Sequence, residues 1–274
     1  MKKLTTTFCF LFVIVSLFAA RVDSLQVYSV SMKKHVPVVV VMPTEGIAAD
    51  KKVPALYLLH GAFGKYNNWI IKVPAIKQLA DKYGMMIVCP DGGHTSWYFD
   101  SPIDSTYRYE TFITKELIAY IDTNYPTIAN RNGRAITGLS MGGHGGIFLT
   151  YRHPNLFSAC GSTSGALHVS VITRGYDVEK RLGDPAANPS YWKDWSVLNI
   201  IENKPIETFK IIIDCGTEDR VLPMNRAVHE KMLQLKIPHE YIERPGGHDF
   251  NYWAESIHHQ ALFFYRHFQS VAGS

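Results

Sequence analysis

Gly138-Leu139-Ser140-Met141-Gly142 is the segment of this 274-residue chain best placed for covalent chemistry. The β-forming run Arg134–Thr137 precedes it and a helical stretch from Gly142 to Tyr151 follows, so Ser140 falls on a sharp strand-to-helix turn. The flanking glycines keep side chains clear of that turn. The helix start offers unpaired N–H groups and the positive end of its dipole to any negative charge that develops there. The structural alternative is a glycine-rich turn that packs a helix tightly on a strand.

A serine hydroxyl is a poor nucleophile at its own pKa and needs a base. His248 is the best placed, in the loop Pro245-Gly246-Gly247-His248-Asp249 between the last expected strand and the last expected helix. The order of nucleophile, acid and then histidine suits a strand–turn–helix nucleophile. The acid should come from Ile211-Ile212-Ile213-Asp214-Cys215-Gly216-Thr217-Glu218-Asp219. Asp219, past the turn at Gly216, can reach a histidine Nδ1; Asp214 and Glu218 are the alternatives. Such an acid fixes the tautomer and stabilises the imidazolium. His144 reads as a support of the helix after Ser140, and His258 and His259 as surface or packing residues of the last helix.

An oxyanion formed on Ser140 needs two backbone N–H donors. One is Met141. The other belongs to the loop after Leu59-His60-Gly61, where Ala62 is preferred and Phe63 is the alternative. Aromatic residues crowd three segments expected at the same edge: Phe63, Tyr66 and Trp69; Trp97 and Tyr98; and Tyr191, Trp192 and Trp195. Phe63, Trp69, Trp97, Tyr98 and Trp192 are therefore the expected substrate-binding residues, with core packing as the plain alternative.

These groups need a scaffold. Leu25–Ser31 and His35–Met42 read as an opening antiparallel pair. Pro54–His60 and Met85–Cys89 are short apolar runs of the kind found in strands covered on both faces. Further strands are expected at Ala135–Leu139, Phe157–Ser162, Phe209–Cys215 and His239–Glu243. Helices are expected at Ala75–Tyr83, Glu110–Asn124, Gly142–Tyr151, Pro223–Leu235 and Phe250–Phe268. Alternation of this kind implies an α/β fold with a mainly parallel central sheet and helices on both faces. Residues 167–207 break the rhythm and read as an excursion over the carboxyl edge of the sheet.

The formal charge of +4 does not mark a nucleic-acid binder. Residues 1–24 hold Lys2, Lys3, Arg21 and Asp23, a net +2, so about +2 remains without them, and no basic stripe is present. The pair Lys2-Lys3 followed by the apolar run Phe8–Ala20 reads as a secretory signal, too short for a comfortable membrane span. A cut after Ser24 suits the small-residue rule better than one after Ala20, which leaves a single catalytic domain over 25–274. The expected location is secreted or periplasmic, without stable membrane association. Cys89, Cys160 and Cys215 lie in apolar runs and read as core residues. No CxxC, HExxH or His-rich tract signals a metal.

Taken together, HGAFGKYNNW, DGGHTSWYFDSP, GLSMGGHGG, CGTED and PGGHDFNYW resemble the esterase family that includes esterase D, tributyrin esterases, feruloyl and acetylxylan esterases and the antigen 85 acyltransferases. The resemblance runs from about residue 35 to residue 268. It implies an α/β-hydrolase fold and ester chemistry without a cofactor, with nucleophile, acid and base at Ser140, Asp219 and His248 and oxyanion donors at Ala62 and Met141. The expected function is secreted hydrolysis of short-chain or aromatic acyl esters, on small molecules or on polysaccharides such as acetylated or feruloylated xylan. Acyl transfer of the antigen 85 kind, S-formylglutathione hydrolysis and an inactive fold used for binding are the alternatives.

Overall fold

The computed structural model describes residues 20–44, 51–172, 175–203 and 208–272. Eight strands form one sheet in the order β1-β2-β4-β3-β5-β6-β7-β8. They are β1 (Arg21–Ser29), β2 (Lys34–Met42), β3 (Ala55–Leu59), β4 (Met86–Pro90), β5 (Arg134–Gly138), β6 (Ala159–Thr163), β7 (Lys210–Gly216) and β8 (Glu240–Arg244). β1 and β2 pair antiparallel, β2 meets β4 antiparallel, and every pairing from β4 to β8 is parallel. The first strand begins at Arg21, which pairs with Met42, so a cut after Ser24 would strip four residues from this edge strand. The apolar run read as a signal lies mostly in residues 1–19, outside the described residues.

The apolar strands still alternate. In β3, Tyr57 and Leu59 join one core, while Leu56 and Leu58 join the other; in β4, Met86 and Val88 separate from Ile87 and Cys89 in the same way. Continuous hydrophobicity is what a period of two requires when both faces are covered. One face is covered by α1 (Asn68–Lys72), α2 (Ala75–Tyr83) and α10 (Phe250–Ala272), which contribute Trp69, Ile76, Leu79, Ile257 and Phe264. The other carries α5 (Met141–Arg152), α9 (Leu222–Gln234) and the helix around Phe112–Ile121.

The helix expected over Glu110–Asn124 comprises α3 (Tyr109–Thr111), a π-helical turn (Phe112–Leu117) and α4 (Ile118–Asn124). Thr114 Oγ1 donates to the Glu110 carbonyl at 2.7 Å within this widened stretch, which buries Phe112, Ile113 and Leu117 on the core side. Among its described residues, the excursion after β6 holds a 3-10 turn (Val169–Val171) and three short helices, α6 (Val178–Leu182), α7 (Pro189–Asp194) and α8 (Val197–Ile200). This is the α/β-hydrolase arrangement, and it brings the ends of β3, β4, β5, β7 and β8 to one edge.

Candidate active site

Ser140 sits between β5 and α5 with φ +56° and ψ −116°. A non-glycine residue in this region is strained by about 1–3 kcal/mol and persists only where its surroundings impose it. They do so here from both sides. The Ser140 N–H donates to the Thr163 carbonyl at 3.0 Å, and its own carbonyl accepts from Ala166 at 3.1 Å. The helix runs so close to β3 that a Cβ on Gly142 would lie 2.6 Å from the His60 carbonyl oxygen and 2.7 Å from that of Leu59. Only glycine fits there, because both neighbours are backbone.

His248 Nε2 lies 3.0 Å from Ser140 Oγ, and His248 Nδ1 lies 2.9 Å from each carboxylate oxygen of Asp219. The Asp219 side chain has no exposed surface and that of His248 is 9% exposed. Burial pushes the Asp219 pKa up, but hydrogen bonds from His248 and from the Val221 N–H outweigh it and hold the carboxyl below its ordinary value. The imidazole edge meets the Trp253 ring, with centroids 5.1 Å apart. Two loops must nearly touch to build this chain of bonds. A Cβ on Gly216 would fall 2.0 Å from the Gly246 carbonyl oxygen, so glycine is the residue that lets the acid loop meet the histidine loop.

The other two carboxylates have different partners. Glu218 is exposed; its N–H donates to the Gly246 carbonyl at 3.1 Å and its carboxylate accepts from the Gly246 N–H, which clips the two loops together. Asp214 is fully buried and accepts from Thr163 Oγ1 at 2.7 Å, Ser256 Oγ at 2.6 Å and Gln260 Nε2 at 2.6 Å. It ties α10 to the sheet.

The N–H groups of Ala62 and Met141 have no acceptor among the described residues, whereas that of Phe63 donates to the His94 carbonyl at 2.7 Å. His60 braces this loop. Its Nε2 accepts from the Gly92 N–H at 2.7 Å while Nδ1 donates to the Gly61 carbonyl at 2.7 Å, and burial lowers its pKa. Those two bonds fit a neutral ring with the proton on Nδ1.

Two cavities open on Ser140. One, of about 200 Å³, is lined by Trp97, Met141, Ala166, Ile172, Val221 and Met224. The other, of about 290 Å³, is lined by Phe63, Asn68, His248, Phe250 and Trp253. Ala62, Ser140, Tyr176 and Arg220 border both.

Three expected wall residues lie elsewhere. Trp69 is buried under the first helix, where its indole N–H donates to the Leu59 carbonyl at 3.0 Å and its ring meets Phe250. Tyr98 is fully buried behind the loop that follows His60 and donates its hydroxyl to the His60 carbonyl at 3.0 Å. Trp192 is buried in α7, donating to the Gly183 carbonyl at 2.9 Å. Each is an aromatic with a polar handle used to fix a loop. Trp97 and Phe63 do line the cleft, Phe63 at the exposed rim. Ile172, Tyr176, Arg220, Val221 and Met224 gave no sequence signal of their own. For Arg220 and Val221, their place directly after Asp219 was the signal that could have found them.

His144 lies in α5 with no exposed surface, its Nε2 2.9 Å from the Trp195 carbonyl oxygen and its ring among Trp97, Phe99 and Phe148. Burial lowers its pKa to about 4, only partly opposed by that carbonyl, so it acts as a neutral packing group. Cys89, Cys160 and Cys215 are buried free thiols whose pKa burial pushes up, to about 12 for Cys89 and Cys160. Among the described residues no group of three or more His, Cys, Asp and Glu side chains could hold a metal ion, and no helix is long and apolar enough to cross a membrane.

The family model described as "Putative esterase" matches residues 29–264. The chain belongs to this esterase family. It is 28% identical over 237 residues to Esterase MT1326 of Mycobacterium tuberculosis, which covers 77% of this chain; the chain spans 52% of that relative's length. An acetyl esterase of Caldicellulosiruptor saccharolyticus is 27% identical over 251 residues, covering 84% of this chain and 92% of its own. Among solved structures, a ferulic acid esterase superposes with a TM-score of 0.77 at 26% identity, covering 91% of this chain and 100% of its own.

Proposed function

We propose that this chain is a secreted serine esterase that hydrolyses short-chain or aromatic acyl esters, including those carried by carbohydrates. The observation that carries the reading is the continuous hydrogen-bonded chain from Ser140 Oγ through His248 to Asp219, set beside two unpaired N–H groups. Ser140 Oγ attacks the ester carbonyl carbon and its proton passes to His248 Nε2. Asp219 holds the proton on Nδ1 and stabilises the imidazolium. The carbonyl oxygen becomes an oxyanion and accepts from the N–H groups of Ala62 and Met141. Collapse breaks the ester C–O bond, the leaving oxygen takes the proton from Nε2, and an acyl group remains on Ser140. Water then attacks that acyl-enzyme, giving up a proton to Nε2; collapse breaks the bond between the acyl carbon and Ser140 Oγ, which takes the proton back from Nε2, and the acid is released.

Proton delivery assigns the two cavities. The leaving alcohol must lie beside His248, so it occupies the 290 Å³ cavity that this histidine lines. The acyl group takes the 200 Å³ cavity beyond Ala62 and Met141, walled by Trp97, Ile172, Val221 and Met224. An apolar space of that size with an indole wall suits a short aliphatic or a phenolic acyl group. The names of two similar proteins, an acetyl esterase and a ferulic acid esterase, support the same substrates. Secretion rests on the apolar run near the N-terminus.

The test is Ser140→Ala with p-nitrophenyl acetate, methyl ferulate and acetylated xylan as substrates. The variant should keep the fold and lose about 10⁴–10⁶ in kcat, because nucleophile and base act as a unit. A fluorophosphonate probe should label the unaltered protein at Ser140 and leave the variant unlabelled. Full activity in the alanine variant ends the proposal.

A further inference from the structure

The cleft holds, among its described residues, one permanent charge that the chemistry above does not use. Among the described residues lining the two cavities there is no Asp, Glu or Lys, and the only guanidinium is that of Arg220. This residue follows the buried Asp219 directly, but its own side chain turns outward and is exposed at the mouth. Its Nη2 donates to the Tyr176 hydroxyl at 3.2 Å, and it has no ion pair with a described carboxylate. The other described arginines near the site are engaged: Arg181 reaches Asp104 at 3.1 Å and Arg244 reaches Asp214 at 3.4 Å.

A guanidinium carries five donors in a planar fork and stays charged at every relevant pH. Here one donor is anchored on Tyr176, and Tyr176 in turn is held by its neighbourhood: its carbonyl accepts from Trp97 Nε1 at 2.9 Å, and its ring lies 5.8 Å from that of Phe63. The fork is therefore steadied at the border between the acyl and alcohol cavities, with donors left over. The acyl cavity is walled mainly by apolar side chains, a costly place for an anion. The alcohol cavity is wider and carries Asn68 and His248.

We propose that Arg220 is a specificity-determining residue that binds a carboxylate on the leaving-group side of the ester, so that the preferred alcohol is anionic, as in an acidic sugar. The inference rests on the proposed esterase reading and on its assignment of the alcohol to the His248 cavity. The contact forms on binding and persists through the transition state, so it acts mainly on KM and kcat/KM.

A matched pair of substrates isolates it. In 4-acetoxybenzoate and its methyl ester the acyl group is the same, and the leaving phenols differ by one carboxylate charge. The quantity read is the ratio of kcat/KM for the anionic ester to that for the neutral one, compared between the unaltered protein and Arg220→Gln. Intrinsic leaving-group reactivity is common to both proteins and cancels. A hydrogen-bonded charge at an exposed mouth should change this ratio by about tenfold. The ratio should fall further in Arg220→Glu, and the preference of the unaltered protein for the anionic ester should weaken as salt is raised from low to high ionic strength. Fluorophosphonate labelling of Ser140 in each variant establishes that it is folded. A ratio that moves by less than threefold in both variants overturns the inference and leaves the esterase reading standing. Failure of the unaltered protein to hydrolyse either ester overturns the esterase reading itself.

Discussion

The two buried aspartates, Asp214 and Asp219, should respond to the same chemical change in opposite ways. In Asp219→Asn the amide replaces a carboxylate that holds the His248 Nδ1 proton through two contacts of 2.9 Å. The Asn NH2 turned towards Nδ1 favours the other tautomer. The proton then sits on Nε2, facing Ser140 Oγ, where no lone pair is left to take the serine proton. A wrong tautomer of this kind costs about 10⁴ in kcat, or about 5.4 kcal/mol of barrier. The backbone of the loop is untouched and the stability change should be small. In Asp214→Asn the site is intact, but the buried network is not. One oxygen can still accept from Thr163 and Ser256, while the new NH2 faces Gln260 Nε2, donor against donor. The Gln260 amide cannot simply flip, because its Oε1 already accepts from Thr137 Oγ1. Leaving one or two buried groups unsatisfied costs about 1–3 kcal/mol each. An overall loss of about 3 kcal/mol corresponds to a Tm drop of roughly 6–12 °C at 2–4 °C per kcal/mol. The assay is kcat on p-nitrophenyl acetate at 25 °C, with Tm measured by calorimetry on the same preparations. A folded Asp214→Asn that loses more activity than Asp219→Asn would refute the assignment of the acid.

The 200 Å³ acyl cavity should make p-nitrophenyl acetate or butyrate better than the decanoate by at least about tenfold in kcat/KM, and Met224→Ala should narrow that gap; a preference for decanoate would contradict the cavity assignment. Stability should fall on mild acidification. An unfolded imidazole protonates near 6.5, while His144 is held by burial to about 4 and His60 is also lowered, so in that range the unfolded chain binds more protons. Urea unfolding between pH 6.5 and 5, above the range where unfolded carboxyls titrate, should therefore show stability dropping by up to about 1.4 kcal/mol per pH unit for each such histidine, and a flat profile would mean that His144 is not buried as a neutral ring.

Local chemistry carried much of this protein in its sequence. The glycines around Ser140 mark a turn that only residues without Cβ can line, and the order of Ser140, Asp219 and His248 follows from where strand ends fall along the chain. The β3 and β4 runs announce strands covered on both faces, because only such strands are apolar at every position. What local pattern could not reach are choices made between segments far apart. Asp214, Glu218 and Asp219 look alike in sequence, yet one is locked to α10, one clips two loops and one meets a histidine 29 residues away. Ala62 and Phe63 are adjacent, and only the carbonyl of His94 decides which N–H is left unpaired. Trp69, Tyr98 and Trp192 are as aromatic as Trp97, but composition does not say whether a ring faces a cavity or a core. That direction depends on which backbone carbonyl takes its polar atom. The strand pairing of residues 21–24 and the place of Arg220 at the cleft mouth belong to the same class. Both are set by contacts across the assembled sheet edge, where the chain's own periodicity holds no information about its partner.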